Sequence, residues 1–486
     1  MFMMRIKFLL PLIFTMIYLA LPSANSGIDG YAYAASIQWG KDLIWPHHLL
    51  YCFFGYWLHW LFPSIESLAL MKIANAIGGG LSLLVLQAIL KWLKVYNASY
   101  FIAFVAASFG FMRFTTENET YILPILFSLG GTLLYLRFLN THKNTDLVFS
   151  GILLGTGVLF HQIHALWYLG FILSAFMDRK EFNWKQKILF AGTGGLLIAG
   201  CYILVYTQQP LESTGSIIQF LFNDVYAGRV QTGITLSNFL MTPVSFIRTF
   251  LQVHGYMWQM FMDTPALFIL PLSFLMIAFI AIKTIIQYSK IQKPDFPIFT
   301  KAVLFACILH FVFAFYSVGN AEFMVMLPFL LVLWLVTKVN LTTKPVLYLS
   351  LIMLAWNIVF GLAPAHFLDL DGSKQILTLV QKNPKDIWVL KEPQKIENMA
   401  AYYGNPSLET TILREDELSS FHGQQKKSFE GQNVFTDIID SREGMNRQGF
   451  LQRKQIDVID NVQSKPVDTL YFYGGKRVIS LLKSPP

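Results

Sequence analysis

The chain reads as a polytopic α-helical membrane protein: a bundle of about eleven transmembrane helices followed by a small mixed α/β domain. Three observations carry that expectation. Hydrophobic residues make up 54% of the 486 positions and charged residues only 14%, too few charges to solvate a soluble chain of this length. Apolar runs recur from position 8 to position 362, each near the roughly 20 residues that a helix needs to cross a bilayer. The cations, finally, sort onto alternate connections between those runs.

Irregular backbone cannot face lipid, so the runs must be helical. They cover 8–24, 68–90, 100–112, 121–138, 147–160, 165–176, 188–206, 266–287, 302–318, 323–336 and 345–362. The first, with a basic start, an apolar core and small residues near Ala24, has the pattern of a secretory signal. Its long apolar core favours a retained anchor. The three cysteines, Cys52, Cys201 and Cys307, lie in or beside apolar runs without metal spacing, which fits packing.

With the N-terminus placed in the cytoplasm, Arg5, Lys7, Lys91, Lys94, Arg137, Lys143, Arg179, Lys180, Lys290, Lys293, Lys338 and Lys344 all fall on the inner side. That asymmetry accounts for the net charge of +8 without invoking nucleic acid. The polar oddities collect on the other side. They are the first loop (25–67), RFTTENETY (113–121), FHQIHALW (160–167), the long connection 207–264 and SVGNAEF (317–323). The expected division is a membrane domain over 1–364, with interfacial helices in the two long outer loops, and an extracytoplasmic α/β domain over 365–486. SIIQFLFNDVY and LSNFLMTPVSFIRTFLQVHGYMWQMF are amphipathic and aromatic, as helices lying in the interface plane are. In the tail, DIWVL, NVFTDII and DTLYFYGGKRVISLL predict strands, with a hairpin turning at Gly474–Gly475. KIENMAAYYGN predicts a glycine-terminated helix.

The organising stretch is SGIDGYAYAASIQWGKDLIWPHHLLY, too polar to span and set between two runs that do. A carboxylate held at membrane depth is costly and marks a functional candidate. Asp29, bracketed by Gly27 and Gly30, has two open roles: a general base for an acceptor hydroxyl, or the N-cap of a helix starting near Tyr31. Glu117, one helical turn beyond Arg113, and Glu119 read either as a substrate- or cation-binding pair or as a solvated, capping loop. A lipid phosphate leaving group needs positive charge where negative charge develops. His47, His48, Arg113, His161, His164, Arg229, Arg248 and His254 are the candidates on that side. Asn320 and Glu322 stand where one helix hands over to the next, as ligands for a substrate hydroxyl or as a cap. No carboxylate spacing is diagnostic for a metal, so no cofactor is assigned and a divalent cation stays open.

GIDGYAYAA, WPHHLLY, FTTENETY and GNAEFMVMLP, in this topological order, resemble the GT-C membrane glycosyltransferases, among them protein O-mannosyltransferases and the lipid A aminoarabinose transferase. The resemblance implies Asp29 as the catalytic first-loop carboxylate and Glu117 or Glu119 as the second acidic position. Two features depart from that pattern: Gly30 replaces the second member of the usual first-loop acidic pair, and GNAEF stands where some relatives carry an arginine–tyrosine motif. Arg113, Arg229 and Arg248 are then the stand-ins for the lipid-phosphate ligand. The implied function is transfer of a sugar from a polyprenyl-phosphate donor to an extracytoplasmic glycan, lipid or protein, with inversion, at a bacterial inner membrane. Its rivals are a transporter or flippase, which predicts charges near the midplane and repeated broken helices, and a non-catalytic envelope assembly factor acting through its tail.

Overall fold

The structure, a computed structural model, describes residues 2–208, 215–226, 233–404, 411–414, 433–438 and 464–482. Arg229 lies outside the described residues. The chain is an integral membrane protein with two compact units, one comprising Met1–Pro22, Asp42–Gln252 and Leu270–Leu362, the other Ser23–Lys41, Val253–Ile269 and Ala363–Pro486.

Among the described residues, seven helices are long and apolar enough to span: Ser67–Trp92, Ile122–Thr141, Trp184–Gln208, Pro265–Tyr288, Pro297–Tyr316, Ala321–Lys338 and Thr343–Phe367. An eighth pass is broken, Ala98–Ala106 meeting Phe109–Thr115 at 67°. Three shorter apolar helices, Leu9–Ala20, Asn144–Phe160 and Gln162–Met177, complete the set. Each falls on one of the runs expected from the sequence.

Lipid tails are as apolar as the helices, so close packing and hydrogen bonds must hold the bundle together. Helix Asn144–Phe160 and helix Trp184–Gln208 touch through glycine: a Cβ on Gly194 would lie 2.4 Å from the Gly151 carbonyl oxygen and 2.6 Å from the Tyr168 hydroxyl. Nearby, Ser150 donates to the Gly131 carbonyl (2.7 Å) and Trp167 Nε1 to Thr132 (3.0 Å).

The break in the eighth pass strands backbone groups inside the bundle, where each unsatisfied one is expensive. Asn357, fully buried, repairs it. Its Nδ2 donates to the carbonyls of Ala107 and Phe250, both at 2.7 Å, and its Oδ1 accepts from the Gln252 amide at 2.8 Å. One side chain thus ties the break to the C-terminus of helix Leu236–Phe250.

That helix belongs to the long connection, which is helical where described: Ile217–Leu221, Asn223–Tyr226, Leu236–Phe250 and Tyr256–Asp263. Helix Leu236–Phe250 turns Asn238, Thr242, Ser245 and Thr249 inward and leaves Leu236, Phe239, Leu240 and Ile247 exposed. Polar-in and apolar-out is the arrangement of a helix whose outer face meets lipid.

An antiparallel ribbon, β1 (Lys290–Ile291) and β2 (Val339–Asn340), joins two connections of the membrane unit. The second unit holds a five-stranded mixed sheet built from β3 (Ile387–Val389), β4 (Thr411–Leu413), β5 (Val434–Thr436), β6 (Ser464–Phe472) and β7 (Gly475–Leu482). Its order is β4-β3-β5-β7-β6, with β3 parallel to both neighbours and β7 antiparallel to both of its own. The hairpin turns one residue earlier than expected. Phe472 pairs with Gly475, so Tyr473 and Gly474 form the loop, and Gly474 takes the positive φ of 82°. The glycine-terminated helix is Pro393–Tyr402, with Gly404 at φ 89°.

The start of the first outer loop, within Ser23–Lys41, folds with this tail. Asn25 donates to the carbonyls of Ala365 and Leu368, both at 2.8 Å, and accepts from the Leu370 amide at 2.9 Å. Trp39 Nε1 donates to the Ala401 carbonyl (2.8 Å), laying helix Ile28–Trp39 along helix Pro393–Tyr402. At the core of the unit Arg477 is buried between Asp437 (2.8 Å) and Glu392 (3.4 Å).

Candidate functional site

In the membrane unit, several of the residues singled out from sequence converge around the acidic loop. The loop is irregular backbone at a helix end and takes its partners from neighbouring elements. Asn75, buried in helix Ser67–Trp92, donates to the carbonyls of Glu117 (2.7 Å) and Glu119 (2.8 Å). The Tyr51 hydroxyl donates to Asn118 Oδ1 at 2.8 Å. Gly79 lets the segment approach, since a Cβ there would sit 2.4 Å from the Thr115 methyl.

On this platform Arg113 Nε donates to Glu117 Oε1 at 3.1 Å, one turn along, and the guanidinium lies 4.9 Å from the centre of the Phe114 ring. Glu322 and Glu119 are within its electrostatic reach. The second Glu117 oxygen is buried and makes no hydrogen bond among the described residues. The Tyr121 hydroxyl donates to Glu322 Oε2 at 3.1 Å, and Asn320 Oδ1 accepts from the Glu322 amide at 3.1 Å. The turn carrying Asn320 bends sharply through Val318 (φ 54°) and Gly319 (φ 63°). Any Cβ on Gly319 would lie 2.5 Å from the Thr242 nitrogen.

The histidines form a column beside this cluster. The rings of His47 and His48 are 4.2 Å apart, those of His48 and His161 4.3 Å, and the Tyr121 ring stands 4.9 Å from His161. Three backbone and side-chain bonds pin the His47 loop: Gln162 N to His47 O (3.1 Å), Leu50 N to Leu159 O (3.1 Å) and Tyr202 OH to Pro46 O (2.7 Å). Burial, reinforced by the neighbouring imidazoles, pushes His48 and His161 well below the usual histidine range. That direction favours the neutral form of both imidazoles.

Arg248 lies in the last turn of helix Leu236–Phe250. Asp29 belongs to the other unit, inside the first turn of helix Ile28–Trp39. Gly27 is the N-cap there and no side chain caps it, so Asp29 is not the cap that the sequence allowed. A carboxylate in the first turn is stabilised by the helix dipole. His254 is in that unit too, its ring 4.6 Å from Tyr256.

Sequence reasoning missed Asn75, Tyr51 and Tyr121, the residues that hold the acidic loop in shape. A lone asparagine inside an apolar span was the available signal. Among the described residues, no three histidine, cysteine or acidic side chains come together as a metal site. Arg113 compensates Glu117 at 3.1 Å.

No family model matches the sequence, and no curated protein matches it. Among solved structures the chain is similar to ArnT from Cupriavidus metallidurans bound to undecaprenyl phosphate, with a TM-score of 0.50 and 10% identity over 98% of this chain and 97% of that one. It also matches the oligosaccharyltransferase AglB from Archaeoglobus fulgidus in complex with an inhibitory peptide and a dolichol-phosphate, with a TM-score of 0.48 and 12% identity over 90% of this chain and 70% of that one. At such identities likeness speaks of fold, and the ArnT match runs from end to end. The fold of this chain is the GT-C fold.

Proposed function

We propose that the protein is a glycosyltransferase that moves a sugar from a polyprenyl-phosphate donor to an extracytoplasmic glycan, lipid or protein. The observation that carries this proposal is the gathering of Arg113, Glu117, Glu322, Tyr121, His48 and His161 at one polar locus of a membrane bundle with the GT-C fold. The match to an ArnT structure bound to undecaprenyl phosphate supports a lipid-phosphate donor. A bacterial inner membrane with the working face outside fits the lysine and arginine asymmetry of the loops.

In the proposed reaction the Asp29 carboxylate takes the proton of the acceptor hydroxyl. The oxygen bonds to the anomeric carbon as the bond from that carbon to the phosphate oxygen breaks. Polyprenyl phosphate leaves with the electron pair, and the centre inverts. Arg113, Arg229 and Arg248 are the candidates to stabilise that phosphate. Arg113 is shared with Glu117 and within reach of two further carboxylates, so the locus carries excess negative charge, which suits sugar hydroxyls and cationic substituents better than phosphate. No step is assigned to a metal.

The test is turnover of a panel of polyprenyl-phosphate sugars by purified protein, wild type against Asp29→Asn. General-base catalysis is typically worth about 10²–10⁴ in rate, and the variant should lose that much with donor binding retained. Unchanged turnover would remove Asp29 as base. Donor binding without turnover on any sugar would favour a non-enzymatic role.

A further inference from the structure

The membrane unit has a polar hollow of about 680 Å³ away from the acidic loop. From Asn75, which holds that loop, to Trp92, where the same helix ends beside the hollow, the helix rises about 25 Å. The hollow therefore opens at the opposite end of the bundle. Its walls are the turn after Trp92, the β1–β2 ribbon and the segment leading into helix Pro297–Tyr316, while Phe101, Phe296 and Val336 line its apolar part.

Three exposed lysines, Lys94, Lys290 and Lys293, stand around it against one carboxylate, Asp295. Lys94 occupies an unusual place. The Val95 amide donates to the Leu90 carbonyl (2.9 Å) and the Lys94 amide to the Lys91 carbonyl (3.0 Å), the bonding pattern of a helix stop whose left-handed position normally takes glycine. Lys94 sits there at φ 56°, so a cation is kept where the backbone would prefer no side chain. On the rim Tyr288 is exposed, and Ile291, between Lys290 and Gln292 in the same segment, is 90% exposed. Apolar side chains beside lysines at the end of spanning helices match the boundary between headgroups and acyl chains.

We propose that this hollow is a binding site for the phosphodiester headgroup of an anionic glycerophospholipid, the lysines pairing with the phosphate and the apolar wall and rim meeting the glycerol and upper acyl carbons. A free phosphate would satisfy the lysines but has no use for Phe101, Phe296 or Val336, which is why the lipid is the occupant assigned. Basic pockets between spanning helices bind anionic lipid heads in this manner.

The experiment places the full chain in nanodiscs of equal phosphatidylglycerol and phosphatidylcholine and counts, by native mass spectrometry, the lipids that stay bound on release. Wild type is compared with Lys290→Gln/Lys293→Gln and with a control of equal charge loss, Lys180→Gln/Lys185→Gln. The control residues are exposed, Lys180 on the connection between helices Ala165–Met177 and Trp184–Gln208 and Lys185 in the first turn of the second, which chain connectivity sets at the same end. All four lysines are exposed, so both variants should fold. The expected result is a preference for phosphatidylglycerol in wild type and control that falls roughly tenfold in the hollow variant. Equal loss in both variants, or in neither, would overturn the site. Displacement of the retained lipid by millimolar inorganic phosphate, with no lipid preference left, would identify free phosphate as the ligand and overturn the lipid assignment.

Discussion

Replacing Asn75 with alanine removes the side chain whose Nδ2 serves the carbonyls of Glu117 and Glu119, at 2.7 and 2.8 Å. Both bonds lie in the interior of the bundle, and alanine offers no donor in their place. A buried acceptor left without its partner costs about 1–3 kcal/mol. Taking the low end for each of the two gives about 2 kcal/mol, which corresponds to roughly 30-fold more frequent opening of the loop. Hydrogen exchange read by mass spectrometry should then show peptides over 113–121 exchanging roughly 30-fold faster, with helix Asn144–Phe160 unchanged. Asn75→Asp should be worse, because a carboxylate of the same shape sets negative charge against two carbonyl oxygens. Exchange of 113–121 within twofold of wild type in Asn75→Ala would refute the reasoning. Equal acceleration in helix Asn144–Phe160 would show that Asn75 holds the bundle and not the loop.

Other perturbations test the remaining contacts. Gly194→Val drives a methyl-bearing carbon to within 2.4 Å of the Gly151 carbonyl and should cost about 1–3 kcal/mol or more, seen as a lower melting temperature in detergent. At the adjacent Gly195, where a Cβ meets nothing within 4 Å, alanine should be neutral or stabilising. Arg477→Met leaves the Asp437 carboxylate buried without its guanidinium and should destabilise the tail unit by about 3–5 kcal/mol, measured as faster tryptic cleavage beyond residue 363. Burial pushes the Asp371 carboxyl up, but Lys395 and the Ser373 amide and hydroxyl outweigh it and hold it below its usual range. A carboxyl lowered by folding stabilises the unit above its unfolded value of about 4 and loses that contribution as pH falls through the folded value. Asp371→Asn should flatten the acid limb of a melting-temperature profile below about pH 4, and an unchanged limb would count against the pair.

The spans were legible because bilayer thickness writes itself into the sequence as run length, and the strands DIWVL, NVFTDII and DTLYF followed from alternation and a glycine turn. The hairpin register slipped by one because either residue of a Gly-Gly pair can take the positive φ, and only pairing of Phe472 with Gly475 decides between them. What stayed hidden was long-range. Asn25 reaches carbonyls some 340 positions away, and no local pattern announces that the start of the first outer loop folds with the tail. Charge state was hidden too: His48 and His161 read as cations until their burial is known.

Asn75 and Asn357 expose a rule that sequence alone could have suggested. Each is an asparagine within an apolar span, a position where an amide is costly unless satisfied. Each spends its amide group on carbonyls of irregular backbone, Asn75 on the acidic loop and Asn357 on the break at Ala107 and the end at Phe250. Water cannot reach such carbonyls inside a membrane, so non-helical backbone there must borrow donors from neighbouring helices. A polar residue in a spanning run therefore points to a place where some other part of the chain leaves the helix. In this chain the two asparagines mark where backbone elsewhere leaves the helix, and one of those places is the acidic loop that holds Arg113 and Glu117.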